Sequence, residues 1–188
     1  ETGYEEYTLD LINRYNNGEL SSADSIVFPE AQQYRTLTMN RTVYGGGGIM
    51  PDYFVPLDTT AYSDYYRSLI SSGIFNRFIL QYVDDQRKKL QKEYDDFEAF
   101  NTSYDTPEVA LERLVTFATE EGLELDEDDW SVSEAQISLL FKSYIARDLW
   151  GMEHFYEVYN STDEVFIKAV EILENPSMLE QKLAKVDS

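Results

Sequence analysis

The stretch Ser131-Val132-Ser133-Glu134-Ala135-Gln136-Ile137-Ser138-Leu139-Leu140-Phe141-Lys142-Ser143-Tyr144-Ile145-Ala146-Arg147-Asp148-Leu149 sets the reading of this chain. Ile137, Leu140, Phe141, Tyr144, Ile145 and Leu149 recur at the three- and four-residue spacing that aligns side chains on one helix face. Ser131, with Glu134 three residues on, fits a capping box, so the pattern predicts a helix opening there. Downstream, Ser161-Thr162-Asp163-Glu164 repeats that box before Val165, Phe166, Ala169, Ile172 and Leu173. Asn175-Pro176 then predicts a stop, followed by a final short helix.

The same grammar runs upstream to residue 58. Asp105-Thr106-Pro107 opens a helix carrying Val109, Leu111, Leu114, Val115 and Ala118, which closes at Gly122. Phe75, Phe78, Ile79, Tyr82 and Val83 begin a longer amphipathic helix that the spacing carries through Leu90, Tyr94 and Phe97. Before it, Tyr62, Tyr65, Tyr66, Leu69 and Ile70 share a face, with Gly73 as the cap. Residues 21–57 read differently, because Pro29, Pro51, Pro56 and four consecutive glycines exclude a long helix. Alternation along 34–39 predicts a hairpin turning near Asn40-Arg41 and returning through Thr42-Val43-Tyr44, then a short strand at Tyr53-Phe54-Val55. Tyr4, Tyr7, Leu11 and Tyr15 predict one further helix, stopped at Asn16-Asn17-Gly18. The expected fold is mainly α: a helical, bundle-like C-terminal domain over 58–188, with a small hairpin and extended segment near residues 34–56.

Composition bounds the function. Hydrophobic content of 43% in 188 residues is enough for a real core and argues against disorder. Fifteen Lys plus Arg against 36 Asp plus Glu give a net charge of −21, which repels phosphate backbones, so no nucleic-acid partner is expected. No run approaches the ~20 apolar residues of a membrane span, and no signal-peptide pattern opens the chain. Its start at Glu1 without Met is expected of a processed protein or a piece of a longer one. The absence of cysteine removes disulfides, thiolate catalysis and cysteine metal sites.

Candidate chemistry is sparse. His154 is the single histidine and no Gly-x-Ser-x-Gly elbow is present, so the expectation is a helix-face residue beside Phe155 and Tyr156. The acidic run Glu124-Leu125-Asp126-Glu127-Asp128-Asp129 alternates carboxylates as a Ca²⁺ loop does. It lacks the EF-hand glycine and the spaced terminal glutamate, and a solvated loop ending near Trp130 is expected. Most of the 15 tyrosines fall at helical spacing, which points to core packing rather than a sugar- or peptide-stacking surface. Gly45-Gly46-Gly47-Gly48 is no phosphate cradle, because a Gly-Lys-Ser/Thr ending is missing and Pro51-Asp52 stands where a helix N-terminus is needed.

Val43-Tyr44-Gly45-Gly46-Gly47-Gly48-Ile49-Met50-Pro51-Asp52, followed by Phe54-Val55-Pro56, resembles a signature just downstream of the active site in carboxyl-terminal processing peptidases, especially those of Bacteroidetes. The resemblance extends upstream through Tyr7, Arg14-Tyr15 and Gly18-Glu19-Leu20. Downstream it takes in Tyr82-Val83-Asp84-Asp85-Gln86-Arg87 and Ile145-Ala146-Arg147-Asp148-Leu149-Trp150-Gly151, and it is weakest over 101–130. It implies a parent serine peptidase that cleaves near protein C-termini, with a lysine as general base and a PDZ domain engaging the substrate tail. Both catalytic residues precede the glycine motif in that family, and the first forty residues here hold no lysine. No catalytic, cofactor or metal residue is therefore carried over. Gly45, Gly46, Gly47, Gly48, Ile49, Pro51 and Asp52 are expected to close the peptidase core, whose end is residues 1–57. The resemblance further implies a periplasmic location, protein or peptide substrates reached through the parent, and strand edges left open to self-association. The rival expectation is an independent helical interaction module of the bacterial cell envelope.

Overall fold

A computed structural model of the chain describes residues 3, 8, 9, 12–14, 16–19, 22, 25, 33–38, 40, 42–45, 51–58, 60–178 and 180. The expected first helix rests on Tyr4, Tyr7, Leu11 and Tyr15, which lie outside these residues. The chain divides into two compact units, one of Glu1–Asp58 with Glu164–Ser188 and one of Thr59–Asp163.

In the first unit β1 (Gln33–Arg35) pairs antiparallel with β2 (Thr42–Tyr44), in the register Gln33↔Tyr44, Tyr34↔Val43 and Arg35↔Thr42. The hairpin is shorter than its alternation predicts. Asn40 adopts a left-handed φ of 52°, its N–H donates to Thr36 O at 3.1 Å, and the Arg35 guanidinium donates to Asn40 O at 2.8 Å. These bonds draw Thr36, Leu37 and Thr38 into the turn. Tyr53-Phe54-Val55 is not a strand; among the described residues the sheet has two strands only, β1 and β2. The Tyr53 hydroxyl instead donates to Met178 O at 2.8 Å.

The elements of the second unit are all helices. α1 (Asp64–Ser71) is capped by Ser63, whose Oγ accepts from Tyr66 N, and it stops at Ser72-Gly73. Gly73 takes φ 72° while its N–H closes on Ile70 O, a conformation that any Cβ would strain, so the glycine stop predicted here is met. α2 (Ile74–Glu93) then runs for 20 residues. The spacing carried this helix on through Phe97, but the chain breaks: Tyr94 is extended, and Asp96 caps α3 (Phe97–Ser103) by accepting from Ala99 N at 2.9 Å. Two forces favour the break. The Asp95-Asp96 pair prefers a cap to a helix interior. The extended Tyr94 also turns its ring edge-on to Phe100 at 5.4 Å.

α4 (Glu108–Glu120) follows Pro107, and the chain turns at Gly122 as its sequence predicts. α5 (Glu127–Trp150) is longer than expected at its start. Asp126, not Ser131, is the cap, accepting from Asp129 N at 2.9 Å, and Glu127, Asp128 and Asp129 in the first turn complement the positive end of the helix dipole. The expected acidic loop is thus half helix. Tertiary bonds select this start: Asp129 Oδ2 accepts from Tyr65 N at 2.8 Å, and Ser133 Oγ accepts from Ser63 N at 2.8 Å. α5 therefore caps the N-terminus of α1 from across the core. α6 (Met152–Tyr159) and a 3₁₀ turn (Asn160–Thr162) complete the unit. α7 (Glu164–Glu174) belongs to the first unit and buries none of its residues. Ser161, expected to cap α7, instead donates to Val158 O at 2.6 Å.

The core of the second unit is aromatic. Fully buried Phe141 of α5 lies 4.8 Å from Tyr82, 6.1 Å from Phe78 and 6.4 Å from Phe75, ring centre to ring centre. Truncating such a side chain typically costs about 3–5 kcal/mol. α5 packs on α1, α2, α3 and α6, which makes it the axis of the unit.

Candidate functional site

Of the motif residues singled out in the sequence, Gly45, Pro51 and Asp52 are described, while Gly46, Gly47, Gly48 and Ile49 lie outside the described residues. Gly45 follows β2 directly, and a Cβ there would stand 2.7 Å from the Tyr34 ring, so a larger residue would have to push that exposed ring aside. Pro51 and Asp52 are exposed. His154 sits in α6, stacked on Phe97 at 3.9 Å with its Nδ1 3.3 Å from Glu157. It is a packed helix-face residue, as its neighbours Phe155 and Tyr156 led us to expect. Tyr65, Tyr82 and Tyr104 are buried, which fits the core reading of the tyrosines. Burial also raises their hydroxyl pKa values, and that of Tyr66 reaches about 12 through burial and the nearby Tyr159, Tyr62 and Tyr144 hydroxyls. In the acidic run, Asp126 and Asp129 serve as caps.

One concavity of mixed chemistry among the described residues was not legible in the sequence. It is a groove between the extended connector 104–107, with the start of α4, and one face of α5. Two adjoining hollows of about 390 and 450 Å³ share Thr106, Ala135 and Ser138. Lys142, Asp105 and Leu139 line one end, and Glu108, Glu134 and Leu111 line the other. Thr106 Oγ1 donates to Ser138 O at 3.0 Å and so ties the two walls together.

Lys142 is half-buried. Its Nζ donates to Asn101 O at 2.7 Å, a carbonyl in the last turn of α3 that has no partner within the helix, and lies 5.8 Å from the Phe100 ring centre. Desolvation lowers its pKa from the ordinary 10.5, an effect opposed by the charge of Asp105. A lowered lysine pKa is also what a general base needs. Here, however, the hydrogen bond made by the ammonium among the described residues goes to a backbone carbonyl, so its place is that of a helix cap. One signal was available in the sequence: a lysine between Phe141 and Tyr144, in the apolar centre of the longest helix.

A smaller hollow of about 270 Å³ lies between α2 and α4, with Phe78, Tyr82 and Phe117 at its floor and Arg113 above. Arg113 stands 5.5 Å from the Tyr82 ring centre and 3.7 Å from Asp85, so its charge is already compensated. Among the described residues no group of three or more potential metal ligands converges, and no helix is long and apolar enough to cross a membrane.

Residues 65–151 match the model of a family described as a family of unknown function, DUF8443. The match takes in α2 to α5, and with them both walls of the groove. No curated protein and no solved structure matches the chain.

Proposed function

We propose that this chain is the non-catalytic C-terminal region of a carboxyl-terminal processing serine peptidase of the bacterial cell envelope. In this reading the parent cleaves near protein C-termini with a serine and lysine that precede Glu1. The observation that carries it is the stretch Val43 to Pro56, with its four glycines and Ile-Met-Pro-Asp ending. The division of the chain at Asp58 agrees with an expected boundary after residue 57, whereas Glu164–Ser188, expected in the helical domain over 58–188, falls in one unit with Glu1–Asp58. Residues 45–52 would complete an edge of the peptidase core, and Thr59–Asp163 would be an appended helical domain. A periplasmic location follows from the same resemblance.

The aromatic core of Thr59–Asp163, which closes on itself, favours a second reading: an independent helical interaction module whose glycine run is only a loop. The complete reading frame distinguishes them. A serine-peptidase core and a PDZ domain encoded before Glu1 support the first reading. A start codon or signal peptide immediately before Glu1 sinks it.

A further inference from the structure

Beyond that reading, and independently of it, we infer that the groove between the 104–107 connector and α5 seats an extended segment of a second protein that carries a lysine or arginine. The connector supplies one wall. Tyr104 (φ −83°, ψ 119°) and Pro107 (φ −65°, ψ 139°) are both extended. Among the described residues no backbone carbonyl pairs with the N–H of Asp105 or of Thr106. Successive N–H groups of an extended segment point to opposite sides, Tyr104 N already donates to Phe100 O and Pro107 has no N–H. The connector therefore offers a second extended chain one free amide along a given edge, and side-chain contacts with α5 must supply the rest.

The facing wall is one stripe of α5. Ala135, Ser138, Leu139 and Lys142 fall at i, i+3, i+4 and i+7, alternating small, polar and apolar contacts. From Glu134 to Lys142 is about 12 Å at the ~1.5 Å rise of a helix. A strand at ~3.3 Å per residue crosses that distance with about four residues. The groove therefore takes a short peptide segment rather than a folded surface.

Charge selects which segment. The Lys142 ammonium is held by Asn101 O and has Asp105 nearby, so it offers little to an incoming anion. Glu108 and Glu134, at the other end, are exposed and make no ion pair among the described residues. The uncompensated charge in the groove is negative, and its complement is one basic side chain set beside apolar neighbours.

The test is NMR titration of the isotope-labelled 188-residue chain with two blocked tetrapeptides, Arg-Val-Thr-Val and Val-Thr-Val-Arg, which cover both strand directions. One of them should shift the amides of Asp105, Thr106 and Ser138, with a dissociation constant of about 1 mM or tighter. Replacing its Arg by Gln should weaken binding about fivefold, and replacing it by Glu should abolish it. Ala135→Trp, at an exposed position in the groove, should block it. Glu108→Gln with Glu134→Gln should weaken it about fivefold, while Glu98→Gln with Glu112→Gln, the same charge change elsewhere, should not. The inference is overturned if neither peptide perturbs the groove, if the Glu peptide binds as well, or if the distant pair weakens binding equally.

Discussion

Ser133 and Ser143 are both fully buried on α5, yet their removal should have unequal consequences. Ser133 Oγ accepts the Ser63 N–H at 2.8 Å and lies 2.9 Å from Ser63 Oγ, which itself caps α1 by accepting from Tyr66 N at 3.2 Å. Ser133→Ala leaves the Ser63 N–H buried without a partner, at about 1–3 kcal/mol, and loosens the cap. Higher helix propensity of Ala returns about 0.5 kcal/mol, for a net loss of about 2 kcal/mol. Ser143 Oγ donates at 2.7 Å to Leu139 O, a carbonyl that the helix ladder already engages. Ser143→Ala strands no donor, and the same propensity gain nearly offsets its lost bond, so the net change should lie within about 0.5 kcal/mol. For a unit of roughly 100 residues the first substitution should lower Tm on the order of 10 °C and the second by no more than about 3 °C. Both tryptophans, Trp130 and Trp150, lie in Thr59–Asp163, so their fluorescence during urea unfolding reports this unit. Equal losses from the two substitutions, or a larger loss from Ser143→Ala, would refute the assignment of Ser133 as a cap supplied across the core.

Phe141→Ala should destabilise the same unit by about 3–5 kcal/mol, read as a lower urea midpoint. Gly73→Ala should cost about 1 kcal/mol, because an L side chain is strained at φ 72°; an unchanged midpoint would contradict this. Stability should fall as pH rises past 10.0, where the unfolded chain releases the Tyr66 proton that the folded chain keeps until about pH 12. Lys142 works in the opposite sense, since its folded pKa is lowered and its burial penalty is relieved as pH rises toward 10.5. Tyr65, Tyr82 and Tyr104 act with Tyr66, so the net trend is downward, and Tyr66→Phe should flatten a plot of Tm against pH above 10.0.

Helix faces were legible in the sequence wherever one stripe and one glycine stop coincided, as at Leu69 with Gly73 and Leu114 with Gly122. Boundaries failed where two local signals competed. The stripe through Leu90, Tyr94 and Phe97 concealed a break, because an apolar period says nothing about a chain that turns its aromatics inward from an extended residue. At the start of α5 both Asp126 and Ser131 carry cap chemistry, and only the bonds from Asp129 to Tyr65 and from Ser133 to Ser63 decide between them. The groove was hidden for a similar reason. Its walls come from segments some thirty residues apart; Glu134 reads as the capping-box partner of Ser131, and Glu108 and Ser138 carry no signal of their own.

The most direct test of the proposed function is hydrolysis of a denatured protein substrate by the purified 188-residue chain, beside the product of its complete reading frame. The chain alone should cleave nothing, while the complete product should cleave the substrate and lose that activity when the serine upstream of Glu1 is replaced. Turnover by the chain alone that is lost on His154→Ala or Lys142→Ala would contradict the account.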